Sequence, residues 1–386
     1  MRIAIATEVH APKIDGISNR LTHTIRELIA LGHDVLTITP APAEPVCDGE
    51  RLLQVPGARF PLYPDVVVGA PDPRIVLELV RFRPHVLHAV GPVAVGTFGL
   101  LAARALAIPT VASYHTDLPG YAQRYGYPEL EAPAWKLLRR AHALAELNLC
   151  PSRATRDALV ARGFEITGLW RGGVDPELFH PRKRSLVMRE RLAGGRVDRP
   201  LLLYVGRLAA EKNLHSLAPV LAELPGVRLA FVGDGPERAR LERTYRKLPV
   251  TFAGFLSGED LAAAYASADV FVMPSATETL GFVALEAMAS GLPVVAADAG
   301  GLREVVEHEE TGFLYDPAES KGALEPVRRI LGSRTLAADL ARSGRAAAER
   351  CSWRSETRAL VASYEFAIER AEARSLRVKL RSFFAA

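Results

Sequence analysis

Short apolar runs of strand length alternate with helical patterns along nearly the whole chain, so the sequence predicts an α/β protein built on doubly wound parallel sheets with helices on both faces. Two further observations set the scale. At 386 residues, 49% apolar and 24% charged, the chain is too long for one ordinary core and too apolar for disorder. The alternation also restarts near residue 201, so two domains are expected, 1–178 and 179–359, facing each other across a cleft.

In the first half the spacing predicts strands at 2–6, 34–38, 86–89, 110–114 and 147–151. Leu21, Ile25, Leu28 and Ile29 share one helical face, with Ser18 expected as its cap and Gly32 as its end. The longest uncharged stretch, 89–103, carries Gly91, Pro92, Gly96 and Gly99 and is about five residues short of a membrane span; it reads as a loop feeding a buried helix. Residues 1–6 form a buried strand and not a secretory signal, because they turn polar at Thr7-Glu8. The stretch 179–200 lacks a strand period and reads as the interdomain connection. Strands are then expected at 201–205, 227–232, 250–253, 270–273 and 293–296. The repetition is architectural, without a residue-level repeat.

Cys47, Cys150 and Cys351 are odd in number and far apart, which argues against a disulfide framework or a structural zinc site and fits a reducing cytoplasm. Lys plus Arg exceed Asp plus Glu by 48 to 44. So small an excess does not support a polyanion-coating face unless it is concentrated, and no nucleic acid partner is expected.

In doubly wound sheets ligands bind beyond the carboxyl ends of the strands, and the unusual residues fall there. After 270–273 a loop turns into a helix near Gly281, a start that aims N–H groups and positive dipole at a phosphate. Glu278 and Glu286 stand eight residues apart, on the order of 10 Å along a helix, suited to flank a pyrophosphate and accept from paired sugar hydroxyls. Solvated surface charges explain the spacing about as well. After 201–205, Arg207 and Lys212 are placed to converge on a diphosphate leaving group, or else Lys212 makes a surface pair with Glu211 or a neighbouring helix. Gly233-Asp234-Gly235 ends a strand but lacks the third glycine of a dinucleotide fingerprint. In the first half, Asp15-Gly16-Ile17-Ser18 offers a close backbone approach to an anion, and a plain turn accounts for it equally. Tyr114-His115-Thr116-Asp117 sets an imidazole and a carboxylate at a strand end, where a structural histidine is the alternative.

Taken together, these residues resemble the retaining GT-B glycosyltransferases of family 4. The run from Glu278 through Leu280, Gly281, Phe282 and Val283 to Glu286 and on to Ser290-Gly291-Leu292-Pro293 looks like that family's E-x7-E signature. Gly300-Gly301-Leu302-Arg303-Glu304 and Thr311-Gly312-Phe313-Leu314 follow in the family's order, and Pro151-Ser152 and 170–175 extend the match over the first half. Within the family the chain is similar to sulfoquinovosyl-diacylglycerol synthases and to bacterial mannosyl- and glucuronyl-lipid transferases. The resemblance implies a GT-B fold of two Rossmann-like domains. It implies that Arg207 and Lys212 bind the donor diphosphate, aided by backbone N–H groups of Leu280, Gly281, Phe282 and Val283, with Asp234 also on the donor side. Glu286 would hold the ribose, Glu278 the transferred sugar, and His115 would lie by the sugar ring, while Gly16 lets the first loop approach. One departure stands out: relatives usually carry Asn, Lys or Arg before the Gly-Val-Asp run, where this chain has Gly172, with Arg171 one place earlier.

The expected activity is transfer of a hexosyl group from a UDP- or GDP-sugar to a lipid such as diacylglycerol. A polysaccharide or soluble acceptor, or a non-catalytic sugar-nucleotide sensor, is the alternative; a dehydrogenase lacks its complete glycine motif. No cofactor or metal is expected, since no Asp-x-Asp motif occurs and cations stand in for a divalent ion. Acceptor choice is expected in the loops 60–69 and 119–127, where Tyr121, Arg124, Tyr125 and Tyr127 offer stacking faces and a cation. The charge excess is local: residues 366–386 hold five cations, Arg370, Arg374, Arg377, Lys379 and Arg381, against Glu369 and Glu372. Leu376, Leu380, Phe383 and Phe384 follow helical spacing beside them, a pattern for peripheral binding to an anionic inner membrane face. A final helix over about 360–386 packing on the first domain is the competing expectation.

Overall fold

The computed structural model describes every residue except 14–15, 61–62, 116–118, 121–126, 277, 279–280 and 386; at 60, 63–66 and 375–385 it describes backbone only. The chain divides into two compact units, Met1–Arg171 with Trp353–Ala386, and Gly172–Ser352. These crossings lie at 171/172 and 352/353, a few residues before the expected ones.

The first unit holds β1 (Arg2–Thr7), β2 (Asp34–Pro40), β3 (Glu50–Val55), β4 (Gly57–Phe60), β5 (Tyr63–Gly69), β6 (Val86–Val90), β7 (Thr110–Ser113), β8 (Leu147–Cys150) and β9 (Gly168–Leu169). Seven of them form one parallel sheet in the order β3-β2-β1-β6-β7-β8-β9, and β4 and β5 make a separate antiparallel ribbon. The alternation within β1 decides its packing. Ile3 and Ile5 face Leu21, Ile25 and Leu28 of the Gly16–Ala30 helix, while Ala4 and Ala6 face Leu79, Phe82 and Leu100. Each fully buried isoleucine contributes about 1.5–3 kcal/mol. The small residues on the second face admit the Val95–Ala105 helix closely: a Cβ on Gly99 would sit 3.0 Å from the Ala6 methyl.

Three expectations are corrected here. Ser18 does not cap the first helix, which already begins at Gly16. Part of the expected acceptor loop 60–69 belongs to the antiparallel β4–β5 ribbon, in which Val66-Val67-Val68 lies on the second strand. The stretch 179–200 is not a connection but part of the second unit. Its Leu186–Leu192 helix, capped by Ser185, puts Met188 and Leu192 into that unit's core. Arg189 clips it there, donating to Asp269 (2.8 Å) and to the carbonyls of Val197, Ser267 and Arg199.

The second unit contains β10 (Leu201–Val205), β11 (Arg228–Val232), β12 (Val250–Gly254), β13 (Val270–Met273), β14 (Val294–Ala297) and β15 (Gly312–Tyr315). They pair in parallel in the order β12-β11-β10-β13-β14-β15. Strand order reverses between β10 and β13, and that switch point is where a doubly wound sheet opens a ligand crevice. Among the described residues no helix is long and apolar enough to cross a membrane. The final helix, Trp353–Ala385, returns to the first unit and lays Leu360, Tyr364 and Ala367 into its core.

Candidate active site

The loops after β10 and β13 flank the switch point of the second unit and bring two expected site residues together. Lys212 ends the short turn Ala210–Lys212, and its Nζ donates to Glu278 Oε2 at 2.8 Å, with both side chains less than one-fifth exposed. Asn213, in the left-handed region, turns the chain away behind it. Arg207 is exposed at the end of β10, and its carbonyl accepts from Tyr204 Oη at 3.0 Å. The glycines of Gly233-Asp234-Gly235 serve close packing: a Cβ on Gly233 would lie 2.0 Å from the Gly206 carbonyl oxygen, and one on Gly235 2.4 Å from that of Leu208. The Asp234 carboxylate is exposed and turned to its own neighbourhood, accepting from Gly235 N (2.8 Å) and Arg238 (3.2 Å).

Glu278 is held from behind by residues that the sequence did not tie to it. Gly301 N donates to the Glu278 carbonyl at 2.7 Å, and a Cβ on Gly300 would collide with that oxygen at 2.2 Å. Leu280 lies outside the described residues. Gly281 has φ +68° and caps the Phe282–Ala289 helix, its carbonyl accepting from Ala284 and Leu285. Phe282 and Val283 thus lie in the first turn, at the positive end of the helix dipole. The Phe282 ring fills the space above residue 172, where a Cβ would lie 1.8 Å from the ring. That contact explains the departure at Gly172: no side chain fits there while Phe282 keeps this position. Arg171 is exposed and its charge acts on Glu356.

Glu286, about one turn into the same helix, accepts from the buried Tyr265 hydroxyl at 2.8 Å. Burial pushes the Glu286 carboxyl up to about 7, and the Tyr265 hydrogen bond opposes part of that rise. A carboxylate so placed, with one oxygen already engaged, has its remaining lone pairs for vicinal hydroxyls.

In the first unit Gly16 opens the first helix, with nothing within 4 Å of the place a Cβ would take. His115 follows β7, and its ring is held from inside, by Arg20 at Nδ1 (3.1 Å) and Ser113 at Nε2 (2.9 Å), with Trp170 edge-on. Asp15, Thr116, Asp117, Tyr121, Arg124 and Tyr125 lie outside the described residues, and Tyr127 is exposed. Two contributors escaped sequence reasoning, Tyr265 and Arg20, while Gly300-Gly301 was legible as a family motif but not as the support of Glu278. Only the glycine pair carried a local signal, a doublet just after a strand.

Two parallel Rossmann-like sheets, with cations, carboxylates and a helix start at the switch point of the second, define a glycosyltransferase of the GT-B type. Residues 191–347 match the family described as Glycosyl transferases group 1, and residues 14–178 match Glycosyltransferase Family 4. The chain is 41% identical over 353 residues to the sulfoquinovosyl transferase of Arabidopsis thaliana, covering 89% of this chain and 69% of that protein. It is 41% identical over 326 residues to a GDP-mannose-dependent alpha-mannosyltransferase of Mycobacterium tuberculosis (83% and 85% covered). It is 26% identical over 339 residues to an alpha-monoglucosyldiacylglycerol synthase of Streptococcus pneumoniae (82% and 75%). Among solved structures, Anabaena HepE in complex with UDP superposes with a TM-score of 0.75 at 22% identity, covering 95% of this chain and all of that one. The chain belongs to the group 1, family 4 glycosyltransferases.

Proposed function

We propose that this glycosyltransferase moves a hexosyl group from a UDP- or GDP-linked sugar to a lipid acceptor such as diacylglycerol, with retention at the anomeric carbon. The observation that carries the reading is the Lys212–Glu278 pair at the switch point, beside the start of the Phe282–Ala289 helix. A donor diphosphate takes the Lys212 charge and frees Glu278 for sugar hydroxyls. As the bond from the anomeric carbon to the phosphate oxygen breaks, its electron pair leaves with the nucleoside diphosphate. Arg207, Lys212 and the helix start stabilise that charge. The acceptor oxygen bonds to the same face of the carbon, and its proton passes to the departing phosphate. Glu286 holds the ribose, and His115 of the first unit takes part in transfer. No divalent ion is required in this scheme, so turnover in excess EDTA is expected to equal that without it.

The lipid acceptor is supported by the relative that makes monoglucosyldiacylglycerol and by the basic end of the chain, whose backbone continues as helix to Ala385. This end is proposed to sit on the cytoplasmic face of an anionic membrane. The test is incubation of the purified chain with UDP- and GDP-sugars and vesicles containing diacylglycerol, reading nucleotide release and glycolipid mass. Turnover confined to soluble or polysaccharide acceptors, or donor binding with no turnover on any, would overturn it.

A further inference from the structure

Behind His115 runs a buried chain of side chains that links the first helix to the last. Arg20 Nη1 meets His115 Nδ1 at 3.1 Å, and His115 Nε2 meets Ser113 Oγ at 2.9 Å. Ser113 Oγ meets His88 Nε2 at 2.8 Å, and His88 Nδ1 meets Tyr364 Oη at 2.8 Å. Arg20, Ser113, His88 and Tyr364 are all at most 1% exposed. Trp170 packs among them: its carbonyl accepts from Arg20 at 3.0 Å, the guanidinium carbon lies 4.9 Å from its ring centre, and both imidazoles sit 4.9 Å from it.

The chemistry of arginine gives the chain one direction. A guanidinium only donates, so His115 Nδ1 must present its lone pair and the ring proton must sit on Nε2. Nε2–H then donates to Ser113 Oγ, whose single proton goes to His88 Nε2. His88 in turn carries its proton on Nδ1 and donates to Tyr364 Oη. Protonating His115 would remove the acceptor that Arg20 uses and set two cations side by side in the interior. Burial, the Arg20 charge, His88 and His142 all hold the His115 imidazole well below its ordinary pKa, and burial with Arg20 takes His88 down to about 3. Burial lowers Arg20 itself to about 9, against the opposing charge of Glu356, so it remains cationic near neutrality.

We propose that Arg20 is a positioning residue for transfer: through this one-way chain it fixes the tautomer and orientation of His115, which then acts as a locked neutral ring and not as a proton carrier. The proposal rests on the reading that His115 takes part in transfer. It leaves proton removal from the acceptor to the leaving phosphate.

The test uses the full chain labelled with 15N-histidine, the His115 resonances being assigned through His115→Gln. Two-dimensional imidazole spectra at pH 7 are expected to show His115 as the Nε2–H tautomer, unchanged down to pH 5. Arg20→Met is expected to lose that signature and to lower kcat at least tenfold, with the donor KM changed less than threefold. Arg20→Lys, which still donates to Nδ1, is expected to restore the tautomer and most of kcat. A purely structural role would depress thermal stability in both variants without that rescue. Should Arg20→Met fail to fold, Ser113→Ala, which removes the acceptor for Nε2–H, is expected to release the ring and lower kcat in the same way. An Nδ1–H tautomer or an imidazolium at pH 7, or an unaltered tautomer and kcat in Arg20→Met, would overturn the proposal. The spectra need no substrate, so a missing lipid transfer activity sinks the functional reading while this one is still decided.

Discussion

At the scale of single residues, the proposed chemistry concentrates on the Lys212–Glu278 pair, whose side chains are each less than one-fifth exposed and hold one another at 2.8 Å. Lys212→Ala removes charge that grows more important as the leaving group departs. Nucleotide release is expected to fall about 10²–10³-fold, the range for losing one preorganised electrostatic contact. Glu278→Gln keeps the shape and is expected to fall comparably, with circular dichroism unchanged; full turnover in either would remove the pair from the site. Gly300→Ala checks the cradle behind Glu278. It combines a side chain at φ +53° with a collision at the Glu278 carbonyl, so kcat should drop without loss of the fold. Retained kcat would mean that the loop can shift freely.

At the scale of the element, the Phe282–Ala289 helix couples the start proposed to meet the donor phosphates to a carboxylate about one turn on. Glu286 is raised to about 7 in the folded chain from an ordinary value of 4.5. The folded state therefore prefers the protonated acid, and Glu286 costs stability as pH rises from about 4.5 through 7, with the cost complete above that. Under the proposed role of Glu286 at the ribose, donor binding runs the other way, because the hydroxyls need the carboxylate: nucleotide affinity should rise as the pH approaches 7. Tyr265→Phe removes the hydroxyl that favours the charged form, at about 1.5 kcal/mol, and should move the midpoint of the affinity profile up by about one pH unit. Calorimetric titration with the nucleoside diphosphate between pH 5 and 9 measures it; an unmoved midpoint would separate Tyr265 from Glu286 function.

At the scale of the whole molecule, the chain leaves the first unit at Arg171 and returns to it at Trp353, so that unit is complete only when the final helix docks. Leu360 is 2% exposed within that core. Leu360→Ala should cost about 2–5 kcal/mol in urea unfolding of the full chain, and a wild-type midpoint would mean that the helix is dispensable. The membrane prediction belongs to a shorter deletion. Removing residues 375–386 spares Leu360, Tyr364 and Ala367 while deleting Arg377, Lys379 and Arg381. Sedimentation with anionic vesicles should weaken on that deletion and in 0.5 M salt, whereas equal sedimentation of both chains would count against membrane docking.

Much of this was written locally. Apolar runs with a period of two, separated by helical patterns, report strands and helices because each depends on neighbours in sequence. The spacing of Glu278 and Glu286 on one loop and helix is local in the same sense. Edge elements were harder to see: β3 reads Glu-Arg-Leu-Leu-Gln-Val, half charged or polar, because only one side of it meets the sheet. The sequence by itself determined the two-sheet α/β class, the strand ends at which the candidate site is placed, and the family. Only the tertiary structure decided that Lys212 meets Glu278 across 66 residues, that Arg20 reaches His115 across 95, and that His88 reaches Tyr364 across 276. Such pairs form because crossover connections bring distant strand ends side by side, and no local period encodes which ends those are.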